Sequence, residues 1–171
     1  METKQLSPAV KGVFISLVLI LVGLVIYFTG QTQNKPLAWL QSLLFGAGII
    51  WACINYANAN NGNVTFGNVF ANGFKTAAAA TAIFMVYTFI SIKYIMPDII
   101  DIAMEEARKG MVEKNMPAEQ IDQAMQMMQK FFVPFAVGGS LLTYLILGLI
   151  FSLIGGAVAK KNPNPSPFDQ Q

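Results

Sequence analysis

The sequence predicts an all-α integral membrane protein with four transmembrane helices and an amphipathic helical hairpin inserted between the third and the fourth. Of the 171 residues, 54% are hydrophobic and 12% are charged, and that charged fraction is about half the usual value for a soluble domain. The apolar residues lie in runs of about 20, the length with which a helix crosses the hydrocarbon core. Seven of the nine acidic residues fall in one segment, 97–130.

The first two spans are predicted at about residues 12–30 and 37–57. The first lies within 23 uncharged residues between Lys11 and Lys35. Its length, and the lack of a small-residue cleavage motif, distinguish it from a secretory signal, so we expect a retained anchor. Pro36 suits the first turn of the second span, and the Asn- and Gly-rich segment 58–63 then reverses the chain.

The third span is predicted at about residues 75–96, with Lys75 near its start. A helical segment precedes it, and Thr65 is the expected N-cap of that segment. One face of the segment carries three phenylalanines at helical spacing: Phe66, Phe70 and Phe74. We expect these rings to lie in the headgroup region, where amphipathic helices bind.

The fourth span is predicted at about residues 135–159, after Pro134, and the tail 160–171 is expected to be disordered because proline alternates along it. Three small residues repeat every four positions on one face of this span: Gly148, Ser152 and Gly156. Small residues let helix backbones approach closely in membranes. We expect this face to pack inside a four-helix bundle, and a homodimer through the fourth span is the alternative.

The orientation follows from the distribution of lysine and arginine. One side of the predicted bundle carries five lysines near span ends, with few acidic residues: Lys4, Lys11, Lys75, Lys160 and Lys161. Positive residues accumulate on the cytoplasmic side of membrane proteins. We therefore expect a multi-pass protein with both termini in the cytoplasm.

The extramembrane insertion 97–130 is predicted to form two amphipathic helices separated near Pro117. Their apolar stripes contain six candidate partner-binding residues: Met104, Met111, Ile121, Met125, Met128 and Phe132. The stripes could pack against each other, bind a partner protein or lie on the membrane surface. Flexible methionines suit a partner surface. The net charge of −2 between Lys93 and Lys130 disfavours an anionic membrane surface.

Catalytic chemistry has little support in the composition. The chain has no histidine and one cysteine, Cys53, so the commonest general base and metal ligand is missing. Asp98, Asp101 and Glu105 could in principle form an acidic site, but a solvated helix face explains them better. We find no phosphate-binding loop, zinc spacing or basic tract, and we predict no catalytic residue, no metal, no cofactor and no nucleic-acid partner.

Polar residues in the spans leave a transport alternative open. The predicted span cores hold no ionisable residue, and such residues usually mark transport routes. Four hydrogen-bonding side chains of the third and fourth spans could still line a polar path: Tyr87, Thr88, Thr143 and Tyr144. Hydrogen bonds between helices are the simpler interpretation of these residues.

Three stretches carry a family resemblance: FGNVFANGFK at 66–75, MPAEQIDQAMQMMQKFF at 116–132 and FSLIGGA at 151–157. Together they resemble the four-span membrane proteins of Bacteroidota grouped as domain of unknown function 4199, over nearly the whole chain. The resemblance implies a bacterial inner-membrane protein and brings no catalytic or binding residues.

Three functional hypotheses follow from these patterns. The first is a non-enzymatic accessory or scaffold subunit that presents residues 97–130 to a protein partner. The second is a small transporter or lipid-binding membrane protein. The third is a membrane enzyme that uses carboxylates at the interface.

Overall fold

The computed structural model describes residues 6–32 and 34–162, without the side chains of Lys35 and Ala38, and these residues form helices and no strand. The helices are α1 Pro8–Phe28, α2 Lys35–Ala59, α3 Phe66–Ile90 with a π-helical turn Ser91–Ile95, α4 Ile99–Glu113 and α5 Ala118–Val158. Helices α1, α2, α3 with its π-helical turn, and α5 are each long and apolar enough to cross a membrane. The predicted all-α membrane fold class is therefore confirmed. Most of the predicted tail lies outside the described residues.

Local sequence explains where α1 begins. Ser7 is its N-cap and accepts a hydrogen bond from the backbone N–H of Val10 at 3.3 Å, and Pro8 occupies the first turn, where a missing N–H costs nothing. The helix therefore starts four residues before the predicted span, and Lys11 lies inside it.

The turn between α2 and α3 uses left-handed backbone. Asn61 and Gly62 have φ values of 51° and 75°, the region that asparagine and glycine tolerate best. Thr65 then accepts a hydrogen bond from the N–H of Asn68 at 3.2 Å through its side-chain oxygen, as an N-cap does.

Helix α5 differs from the sequence-based boundaries. It runs through Pro134 without interruption for 41 residues, about twice the length that a span needs. The second amphipathic segment and the fourth span are therefore one helix. Proline is tolerated inside membrane helices because neighbouring groups compensate for the lost hydrogen bond.

The chain divides into two compact units, one comprising residues up to Phe84 and from Leu142 onward, the other Met85–Leu141. In the first unit the core contains apolar residues of α1, α2 and α3: Ile15, Leu19, Phe45, Ile49, Ala77 and Ala80. The Tyr144 ring of α5 makes edge contacts with Phe45 and Phe84, with centroid distances of 5.1 and 5.2 Å. This aromatic contact joins α5 to α2 and α3.

Candidate functional site

In the second unit, α4 and the beginning of α5 are joined by a short turn. Asn115 has a φ of 54°, and the N–H of Met116 donates to the carbonyl of Met111 at 3.2 Å. Arg108 of α4 lies 3.9 Å from Asp122 of α5, and both side chains are exposed. Such an exposed pair adds little stability, and it brings one side chain of α4 close to one side chain of α5.

The six predicted partner-binding residues face partly inward. Ile121 is buried, and the other five are half-buried: Met104, Met111, Met125, Met128 and Phe132. Helix α4 nevertheless contains no buried residue. Its apolar stripe is thus only half covered among the residues that the structure describes.

Other apolar side chains of this unit are exposed outside the predicted stripes. Val112 is 56% exposed and Met127 is 64% exposed. Val112 lies in a surface cavity of about 360 Å³ on α4, whose rim carries Glu105, Arg108, Lys109 and Glu113. The helical periodicity did not select Val112 or Met127, because each is the sequence neighbour of a methionine already assigned to an apolar stripe.

Among the candidate carboxylates, Glu105 pairs with a lysine of its own helix. Lys109 donates to Glu105 at 2.6 Å across one helical turn, and both side chains are exposed. This hydrogen bond holds the pKa of Glu105 below its usual value and raises the pKa of Lys109. In the described ranges no group of three or more His, Cys, Asp or Glu residues could hold a metal ion.

Lys11 is the unexpected residue of the first unit. Its side chain is 0% exposed, and its ammonium donates to the backbone carbonyl of Ala52 on α2 at 3.3 Å. Lys11 lies in the first turn of α1, just before the predicted span, and nothing in the sequence indicated that it would be buried. The neighbouring Gly12 was the sequence signal for close helix packing here. A Cβ on Gly12 would lie 2.7 Å from the Cβ of Ala79, so this face of α1 packs closely on α3.

A glycine on α3 brings three helices together close to Lys11. A Cβ on Gly73 would collide with Cys53 of α2 and lie 3.0 Å from the side-chain oxygen of Ser152 on α5. The hydroxyl of Ser152 and the amide oxygen of Asn72 are buried without a hydrogen-bond partner among the described residues. This end of the bundle is therefore polar inside, with Lys11 as its cation.

The small face predicted on the fourth span packs on α3 within the chain. A Cβ on Gly148 would lie 2.6 Å from the Cβ of Ala77, and one on Gly156 would lie 2.9 Å from the ring of Phe66. Ser152, between them, is the neighbour of Gly73. All three residues thus serve contact between α3 and α5.

A second cavity, of about 400 Å³, lies where α2 and α5 end. Its lining is polar and carries two lysines: Asn58, Asn61, Gly62, Lys160, Lys161 and Asn162. The sequence could not show this cavity, because its two halves are separated by about a hundred residues.

Comparison with known proteins decides the family. The family model described as protein of unknown function (DUF4199) matches residues 11–161. The chain belongs to this family. No curated protein and no solved structure matches the chain.

The DUF4199 match contains α4 and α5 completely. It begins at the buried Lys11 and ends at Lys161, so it includes the lining of the cavity at the ends of α2 and α5 except Asn162. The resemblance found in the sequence to domain of unknown function 4199 is thus confirmed.

Proposed function

We propose that this DUF4199 protein is a non-enzymatic accessory or scaffold subunit of a bacterial inner membrane, with both termini in the cytoplasm. In this proposal the helices of segment 97–130 bind a protein partner. The observation that carries it is the absence of any buried residue in α4, although that helix is amphipathic in sequence.

The half-covered stripe of α4 favours a second molecule. Amphipathic helices gain stability mainly by burying their apolar face, and α4 contains no buried residue. The cavity on α4 is lined by one apolar residue, Val112, and four charged residues, and apolar groups flanked by charged ones occur at protein interfaces. A partner surface would place an apolar side chain against Val112.

Charge favours a protein over the membrane surface as that second molecule. Between Lys93 and Lys130 there are five basic and seven acidic residues. Anionic lipids attract basic segments and repel acidic ones. We therefore propose a partner with a basic rim around an apolar contact.

Site-specific photo-cross-linking in membranes tests the proposal. A photoreactive amino acid replaces Val112, and in a matched control it replaces Glu106, an exposed residue of the same helix. We expect position 112 to give a stoichiometric adduct with one different protein, and Val112→Glu to weaken co-purification of that protein about tenfold or more, as loss of a central apolar contact does. Adducts with lipid alone, or only with a second copy of this chain, would contradict the accessory role.

The second candidate function, a small transporter or lipid-binding membrane protein, gains support from Lys11. A buried ionisable residue in a membrane span is usually functional. In this alternative a bound anionic molecule reaches the Lys11 ammonium. Native mass spectrometry of the purified protein should then show a ligand that Lys11→Met abolishes and that the exposed control Lys75→Met retains. Identical spectra for all three proteins would discard this alternative.

A further inference from the structure

The cavity at the ends of α2 and α5 is held in shape by backbone contacts. The N–H of Asn162 donates to the carbonyl of Gly62 at 2.8 Å, which fixes the chain after α5 onto the α2–α3 turn. A Cβ on Gly62 would lie 2.9 Å from that same nitrogen, and Gly62 has a φ of 75°. Only glycine fits this position without strain.

The lining of this cavity is positively charged. It contains two lysines, three asparagines and one glycine, and none of these lining residues is acidic. Lys161 donates to the carbonyl of Gly156 at 2.6 Å, so its ammonium offsets the negative end of α5. Lys160 is exposed at the same cavity and has its charge available for a ligand.

The position along the helices indicates the source of such a ligand. The candidate spans in α2 and α5 end at Ala59 and Val158, one to four residues from the cavity lining. Residues directly beyond a span end lie among lipid headgroups. Phe66, 44% exposed and 5.8 Å from the Lys161 ammonium, is an aromatic ring beside the cavity, as is typical at interfacial depth.

We propose that this cavity binds the phosphate group of an anionic phospholipid, with Lys160 as the principal ionic contact and the amides of Asn58 and Asn61 as further donors. The amide of Asn162 already donates to the side-chain oxygen of Asn63 at 3.3 Å. A phosphate diester carries one negative charge and accepts hydrogen bonds from ammonium and amide groups. The proposal gives the lipid-binding alternative a specific site. The two proposals can fail independently, because the accessory role is tested at α4 in the second unit.

Native mass spectrometry of the full-length protein in detergent tests the site. The protein is titrated with phosphatidylglycerol, with phosphatidylcholine and with inorganic phosphate. We expect phosphatidylglycerol to be retained most strongly, and Lys160→Gln to weaken its binding about fivefold, the usual effect of one lysine near an anionic lipid. Lys160→Arg should retain binding. Lys75→Gln, an exposed lysine of α3 outside the cavity lining, should also leave it unchanged.

Three results would overturn the assignment. Equal losses from Lys160→Gln and Lys75→Gln would show diffuse attraction to charge. Displacement of the lipid by millimolar inorganic phosphate would assign the cavity to free phosphate. Retention of phosphatidylglycerol by Lys160→Gln at the wild-type level would show that the cavity binds no anionic headgroup through this residue. Because Lys160 is exposed, its replacement leaves the fold intact, and circular dichroism verifies this.

Discussion

The environment of the Lys11 side chain differs from the one that its position in the sequence predicts. A lysine beside an apolar run ordinarily extends its ammonium to the headgroups. Here the side chain is buried and donates to one carbonyl, that of Ala52, although an ammonium has three donors. Burying an ammonium with a single hydrogen-bond acceptor costs free energy.

Replacing Lys11 by methionine should therefore stabilise the bundle. Lys11→Met keeps the length of the side chain and removes its charge, so we expect the free energy of unfolding to rise by about 1–3 kcal/mol. Thermal unfolding in detergent measures the change, with Lys75→Met as the exposed control. A fall in stability would mean that the bond to Ala52 outweighs the cost of burial.

Two glycines of α5 should respond oppositely to the same substitution. Gly148→Ala places a Cβ 2.6 Å from Ala77 and should cost about 1–3 kcal/mol through overpacking. Gly138 has nothing within 4 Å of its Cβ position, so Gly138→Ala should gain up to about 1 kcal/mol from helix propensity. Unfolding in mixed micelles measures both values. Equal effects would contradict close packing at Gly148.

At the scale of the helices, α5 departs most from the sequence-based boundaries. Pro134 is expected to end a helix, yet α5 continues through it from Ala118 to Val158. The segment that carries Met125 and Met128 is thus continuous with a membrane span.

The ion pair of α4 gives a pH prediction. The pKa of Glu105 lies below its ordinary 4.5 and that of Lys109 above its ordinary 10.5, each chiefly because of their mutual hydrogen bond. The contribution of Glu105 to stability is present above the pKa of its carboxyl in the unfolded chain. It is lost as the pH falls through the lower pKa of the folded protein. The lysine contribution is lost as pH rises through its raised folded value. The pair therefore supports α4 from about pH 5 to 10.

Carbon-13 NMR titration of the labelled protein measures this pair. Lys109→Met should return the pKa of Glu105 towards 4.5, whereas Lys114→Met should leave it unchanged. The melting temperature should stay nearly constant in both variants, because both side chains of the pair are exposed. An unaltered Glu105 titration in Lys109→Met would show that the pair does not form in solution.

At the scale of the whole molecule, the proposed topology has all four candidate spans crossing the membrane. It places the α1–α2 connection near Gln31 and the α2–α3 turn at Asn61 on opposite sides. Lysine distribution favours the cytoplasm for the termini.

Cysteine labelling in spheroplasts tests that orientation. In a Cys53→Ala background, a membrane-impermeant maleimide should label Gln31→Cys in intact spheroplasts. It should label Asn61→Cys only after permeabilisation. The reverse pattern would place the termini outside and would contradict the proposed orientation.

The sequence by itself determined the all-α membrane class, four candidate spans, the N-cap at Thr65 and the turn at Asn61. These features are local, because the length of an apolar run and the chemistry of a cap or turn depend on residues close together in the chain. It also identified Gly148, Ser152 and Gly156 as small residues on one helix face.

The tertiary structure alone decided the burial of Lys11, the contact of Gly73 with Cys53 and Ser152, and the cavity formed by Gly62 with Lys160. Each depends on the rotation and register of helices that are distant in sequence. In a membrane, the pattern of apolar residues determines helix rotation and register only weakly, because lipid is as apolar as the helix interface. Close packing of small residues decides which helix faces meet.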